Sequence, residues 1–172
     1  ANMSIETGAY TAIFPSDENT RSFFVAQNRA KDWQPLAADP DAAYDGEMEI
    51  DLSRIEPLLA RPHSPDNVAP VSAAAGQIIH QVAIGSCTNS SLEDLFKVAA
   101  ILKGKFVHEG VSLIIAPGSR QVLQGLIGGG ALADMVAAGA RIVETACGFC
   151  HGVGQAPRSG GISLRTSNRN FS

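Results

Sequence analysis

The clearest pattern in this chain is a set of apolar and amphipathic runs that begins near residue 77. "QIIHQVAIG", residues 77–85, is an apolar-rich run of strand length that ends on glycine. "SSLEDLFKVAAILKG" follows as a helix, with Ser91 and Asp94 at capping-box spacing and Gly104 suited to its C-terminal end. "VSLIIAPG" predicts a short apolar strand, Ser119 can cap a helix over "RQVLQGLI", and "ALADMVAAG" adds another helical turn or two. "ARIVETA" and "GISLRTS" read as the last two strands. The order β-α-β-α-β-loop-β predicts a layered α/β domain with a mostly parallel sheet.

The first part of the chain is less regular. Ser16 can N-cap a helix to about Arg29 that carries Phe23, Phe24 and Val25. Residues 31–46 read as an irregular connection, and "EMEIDL" (47–52) alternates acidic and apolar residues as a half-buried strand would. "EPLLARPHSPDNVAPVS" holds four of the nine prolines, which predicts an extended linker. No internal repeat is present.

Composition narrows the class. With 172 residues, 45% hydrophobic and 17% charged, the chain is globular and long enough for one domain or slightly more. A formal net charge of −4 gives no reason to expect a nucleic-acid or membrane-surface partner. No apolar run is long enough to span a bilayer, and "ANMSIETGAY" lacks the pattern of a secretory signal. Three cysteines are too few, and odd in number, for a disulfide scaffold, so a cytoplasmic chain with thiolate ligands or free thiols is expected. Both ends read as cut, and we expect a fragment of a longer protein.

The chemistry gathers where predicted strands end. "IGSCTNSS", "TACGFCHG" and "TSNRN" each follow a strand, and sites in open α/β sheets form beyond the strands' carboxyl ends. Cys87, Cys147 and Cys150 fall there together. Three thiolates on one rim suit an iron–sulfur cluster and would leave one iron open for Lewis-acid work. Cys-x-x-Cys-His alone also matches haem attachment, a dithiol redox pair, or a zinc site completed by His151. Cysteine is also commonly a small buried hydrophobe. Haem is the weaker reading, because covalent attachment needs export and methionine is scarce. A dithiol pair leaves Cys87 unexplained. Asn168 and Arg169 offer amide and bidentate guanidinium donors, a carboxylate clamp if they are not simply a polar turn. His63, His80 and His108 have no sequence partners and read as structural or solvated.

"IGSCTNSSLEDL", "APGSRQV", "ACGFCHG" and "TSNRNF", in this order, resemble the aconitase superfamily of iron–sulfur hydro-lyases. "NMSIETGAYTAIFPSDE" resembles the segment that precedes that family's third domain. The resemblance implies a three-layer α/β/α domain, with residues 1–46 as the tail of a preceding domain and 47–172 as the cluster-ligand domain, truncated at its C-terminal end. It implies that Cys87, Cys147 and Cys150 bind a 4Fe–4S cluster. It also implies that Asn2, Asn168 and Arg169 hold substrate and that Glu6 handles the leaving water's proton. The expected reaction is dehydration and rehydration of a hydroxy-tricarboxylate, citrate to isocitrate through cis-aconitate, as in the tricarboxylic acid cycle. The 3-isopropylmalate, homoaconitate and 2-methyl-cis-aconitate hydro-lyases are alternatives, as is a non-catalytic zinc or iron–sulfur domain. The expected partners are the hydroxy-acid and the remaining domains of the same enzyme. The chain alone is not expected to turn over substrate or to retain a cluster. Phe149 and His151 stand where aconitases of the family usually have Pro and Ile.

Overall fold

The structure, a computed structural model, describes residues 4–168 and 170, except for the side chains of Ile5, Glu6, Phe149 and His151. The chain divides into two compact units, Ala1–Ile55 and Glu56–Ser172.

In the first unit, helix α1 spans Glu18–Ala26. Its cap is Asp17, whose carboxylate accepts the Thr20 N–H at 3.1 Å. Ser16 was the expected cap, but its backbone is used elsewhere. Its N–H donates to Leu36 O at 2.9 Å and its carbonyl accepts from Leu36 N–H at 3.1 Å. The helix stops before Arg29 because Asn28 turns left-handed at φ +56°. The strand predicted over 47–52 does not form. Alternation marks a strand only where a neighbour pairs with it, and these residues are exposed and unpaired in any ladder. The run ends in a 3-10 turn, Leu52–Arg54, capped by Asp51.

In the second unit, the proline-rich stretch is more ordered than the expected linker. Strands β1 (Leu58–Ala60) and β2 (Val68–Pro70) pair antiparallel. The loop between them is closed by Arg61 N–H to Asn67 O at 2.8 Å and by the Asn67 amide to Pro62 O at 3.0 Å. Pro62 and Pro65 fall in that loop, where no ladder hydrogen bond is lost.

The predicted alternation then appears as a sheet. β3 is Gln81–Gly85, β4 Ser112–Ala116, β5 Arg141–Ile142 and β6 Ser163–Arg165. Their order is β5-β4-β3-β6, and every pairing is parallel. The connections carry α2 (Leu92–Leu102), α3 (Arg120–Gly128) and α4 (Ala131–Ala137). Both predicted caps form. Ser91 and Asp94 make a reciprocal capping box, and Ser119 accepts the Val122 N–H at 3.1 Å. The α/β class and the parallel sheet are therefore as expected.

Side-chain alternation along β4 defines two faces. Leu113 and Ile115 pack with Leu95, Ala99, Leu126 and Met135 from the helices. Ala83, Ile114 and Ala116 form a smaller cluster on the other side, with Val143 against it. On this second face the outer layer is loop rather than long helix among the described residues. Gln81, only 4% exposed, donates to Gln155 O at 3.1 Å. Arg165 also donates to Gln155 O, and Arg141 donates to the Gln155 side-chain carbonyl at 2.9 Å. Gln155 thus ties the segment following Cys150 to three strands.

Candidate metal centre

The parallel ladder brings the expected loops to one rim. Ala116 and Gly85 are register partners at the ends of β4 and β3. Gly85 has φ +109°, and a Cβ there would stand 2.1 Å from Ala116 O. Glycine is required by both the conformation and the close approach. The next residue, Ser86, is also left-handed, at φ +84°, and is 2% exposed. A non-glycine residue held there costs about 1–3 kcal/mol. Its N–H donates to Ala116 O at 3.1 Å, and its carbonyl accepts from the buried Ser90 hydroxyl.

All three cysteines meet on this serine. Ser86 Oγ lies 3.0 Å from Cys150 Sγ, 3.8 Å from Cys87 Sγ and 3.9 Å from Cys147 Sγ. Cys87 Sγ and Cys147 Sγ are 3.9 Å apart, and none of the three is in a disulfide. Cys150 is buried, while Cys87 and Cys147 are exposed. Cys147 and Cys150 come together through a 3-10 turn, Gly148–His151, with Cys150 N–H donating to Cys147 O at 3.1 Å. Thus residues 60 apart in sequence share one sulfur-lined rim.

Hydrogen bonds from Thr88, Ser86 and Cys147 hold the Cys87 thiol below its ordinary value. Cys147 goes the other way. The Ser86 hydroxyl pulls it down, but Cys87, partial burial and the charge on Cys150 together push it up. Of the two exposed thiols, Cys87 is therefore shifted toward ionisation and Cys147 away from it. Arg165 adds positive charge nearby. Burial lowers its affinity for the proton, and the charge on Cys150 partly restores it. The first-turn amides of α2 are engaged partly by their own cap. Ser91 Oγ takes the Asp94 N–H, and the Asp94 carboxylate takes the Ser91 N–H.

Asn168 joins the same rim. Its side-chain oxygen accepts from Asn89 Nδ2 at 3.0 Å, and Asn89 also donates to Thr166 O. The Thr166 hydroxyl in turn accepts the Gly85 N–H at 2.8 Å. Asn89, Thr166 and Ser86 are the residues that the sequence reading missed. The signal for Ser86 and Asn89 was the polar run "GSCTNSS", and that for Thr166 was its place beside Asn168 in "TSNRN". Asn2, Arg169 and the Glu6 side chain lie outside the described residues. His80 and His108 accept backbone N–H groups from Ile162 and Gly110, each at 3.0 Å, as structural histidines do. A cavity of about 600 Å³ lies at the opposite ends of the strands, lined by His80, His108, Arg141 and Arg158, and no cysteine borders it.

Three thiols around one hydroxyl form a soft donor set that becomes anionic on deprotonation, which suits iron–sulfur ligation by donor chemistry. Among the described residues no group of three or more His, Cys, Asp or Glu is disposed to chelate a single metal ion. The zinc alternative through His151 involves a side chain outside that description. What the fold and rim define is an α/β domain that presents a three-thiol set at its strand ends.

A family model places it further: the chain belongs to the aconitase family (aconitate hydratase), matched over residues 1–78 and 73–172. It is 43% identical over 172 residues to the 3-isopropylmalate dehydratase large subunit 2 of Archaeoglobus fulgidus, covering 99% of this chain and 41% of that protein. It is 43% identical over 171 residues to the 3-isopropylmalate dehydratase large subunit 1 of Methanopyrus kandleri, with the same coverage. It is 44% identical over 172 residues to the probable methanogen homoaconitase large subunit of Methanosarcina mazei, covering 99% of this chain and 43% of that protein. The chain spans about two-fifths of the length of the curated relatives it matches. These names correspond to the alternative hydro-lyases, and a role in the tricarboxylic acid cycle finds no support among them.

Proposed function

We propose that this chain supplies the thiolate ligands of an aconitase-family hydro-lyase that acts on a branched or homologous hydroxy-acid, with 3-isopropylmalate first. The observation that carries the reading is the meeting of Cys87, Cys147 and Cys150 on Ser86 at the strand ends. The relatives' names move 3-isopropylmalate ahead of citrate, and the homoaconitase name makes a longer tricarboxylate the second choice. "Large subunit" in those names supports a separate small subunit as partner. Residues 1–46 then belong to the tail of a preceding domain, and 47–172 to the domain that bears the thiols.

Cys87, Cys147 and Cys150 would hold a 4Fe–4S cluster, whose iron without a cysteine ligand supplies Lewis-acid chemistry to a substrate hydroxyl and carboxylate. Arg169 binds a substrate carboxylate through its paired N–H groups. Asn168, steadied by Asn89, offers an amide beside it. Asn2 contacts the substrate hydroxyl, and Glu6 takes and returns the proton of the departing water. Unpaired thiolates call for a reducing compartment, and we place the protein in the cytoplasm.

The test is to assay the full-length protein with its small subunit on 3-isopropylmalate, homoaconitate and citrate. The reading expects the highest kcat/KM on 3-isopropylmalate, and preference for citrate would reject it. In the same protein, Arg169→Lys should raise KM at least tenfold, because one point charge replaces a bidentate donor.

A further inference from the structure

We infer that Ser86 is a positioning residue for the thiolate set, its hydroxyl donating a hydrogen bond to the Cys150 sulfur. The inference rests on the reading of Cys87, Cys147 and Cys150 as cluster ligands.

Ser86 holds a conformation that glycine would adopt more easily. Only two non-glycine residues, Asn28 and Ser86, have positive φ among those described. Asparagine visits the left-handed region readily, whereas serine does so much less often. The position is also fully determined by its surroundings. Its N–H is held by Ala116 O, and its carbonyl by Ser90, itself 1% exposed. Gly118 packs against Ser90 so closely that a Cβ there would come within 2.9 Å of Ser90 Oγ. None of these backbone contacts uses the Ser86 side chain, so glycine would make them equally well and without strain. What serine adds is the hydroxyl alone.

That hydroxyl has one proton to donate and three sulfurs within 3.9 Å, so it serves Cys87 or Cys147 only in orientations that leave Cys150. The distances choose among them. Cys150 Sγ at 3.0 Å is close for a hydroxyl–sulfur contact, while the other two are nearly 1 Å further away. Cys150 is also the buried member of the set, where a hydrogen bond is least diluted by water. A donor to a ligand sulfur stabilises the more negative state of the centre and fixes the sulfur's orientation. Ser86 would therefore raise the reduction potential of a bound cluster through Cys150. It touches neither substrate nor open iron in this role.

The experiment uses the full-length protein, reconstituted anaerobically with iron and sulfide, and compares the parent with Ser86→Gly and Ser86→Ala. Both variants lose the hydroxyl, but only glycine relieves the backbone. We expect both to take up the cluster and both to lower its reduction potential equally. The shift should be severalfold in the one-electron equilibrium, with a matching change in the reduced cluster's EPR signal. A normal potential in Ser86→Gly would show that the position serves only the backbone and would overturn the inference. If the parent takes up no cluster, the ligand reading fails and takes this inference with it. If the parent does and neither variant shifts, the inference alone fails.

Discussion

Tyr10, Ile13, Phe14, Phe23 and Val25 of the first unit all stand exposed, whereas Leu95, Ile114, Ile115, Leu126 and Met135 of the second are fully buried. Both units carry large apolar side chains, but none of the described residues before Gln81 is buried. The difference follows from pairing. Among the described residues, one α-helix, three short 3-10 turns and one isolated bridge give the first unit no second layer to close over its apolar residues. Four parallel strands give the second unit two faces, and three helices cover one of them. The thiol rim grows from the unit with an interior. Ser86, Ser90 and Cys150 are its buried footings, and Cys87 and Cys147 reach out from them. The lesson is that the site is only as well placed as the core beneath it, while the first unit depends on local caps.

Substitutions can break this contrast, beginning with the largest expected effect. Gly85→Ala should destabilise the second unit by roughly 2–6 kcal/mol, adding clash with Ala116 O to left-handed strain. Urea unfolding measures it, and a loss under about 1 kcal/mol would mean that the β3–β4 rim relaxes freely. Leu95→Ala removes a fully buried side chain from the helix–sheet core and should cost about 2–5 kcal/mol by the same assay. Ser91→Ala breaks the capping box of α2 and should cost about 1 kcal/mol. Phe23→Ala should stay within about 0.5 kcal/mol, since that ring is 62% exposed. A loss like that of Leu95→Ala would reveal an interior around α1 and erase the contrast. Smallest is the pH effect at Asp17. Its hydrogen bond to the Thr20 N–H lowers its pKa below 3.8 in the folded chain. The stability it lends α1 is therefore fully present above pH 3.8 and is lost as pH falls through the folded value. Protection of the Thr20 amide from exchange, relative to its intrinsic rate at each pH, should fall there, and Asp17→Asn should flatten the dependence.

The same contrast governs what could be read from sequence. Ser91, Asp94 and Ser119 announced their caps because capping is local chemistry between residues three apart. The four strands of the parallel sheet lie within their sequence runs but are shorter, since pairing ends where a partner ends. His80 N–H bonds to Ile162 O outside β3. "EMEIDL" misled because alternation carries no information about whether a neighbour exists. The proline-rich stretch hid a ladder because Pro70 sits at its last position, where proline is tolerated. At the site, the strand-end rule was enough to bring the three cysteines together. It could not find Ser86, because positive φ in a serine is imposed by Ala116 and Ser90 from elsewhere in the chain. Asn168 was legible from its motif, but its partner Asn89, 79 residues earlier, was not.

The central claim is that Cys87, Cys147 and Cys150 together ligate one cluster. The most direct measurement is iron and sulfide content after anaerobic reconstitution of the full-length protein. The parent should be compared with Cys87→Ala, Cys147→Ala and Cys150→Ala, followed by mild oxidation. The account predicts a 4Fe–4S cluster in the parent that loses one iron on oxidation and recovers it with Fe(II), and no stable cluster in any single variant. A parent that binds zinc without a cluster, or a cluster that survives loss of any one of these thiols, would contradict it.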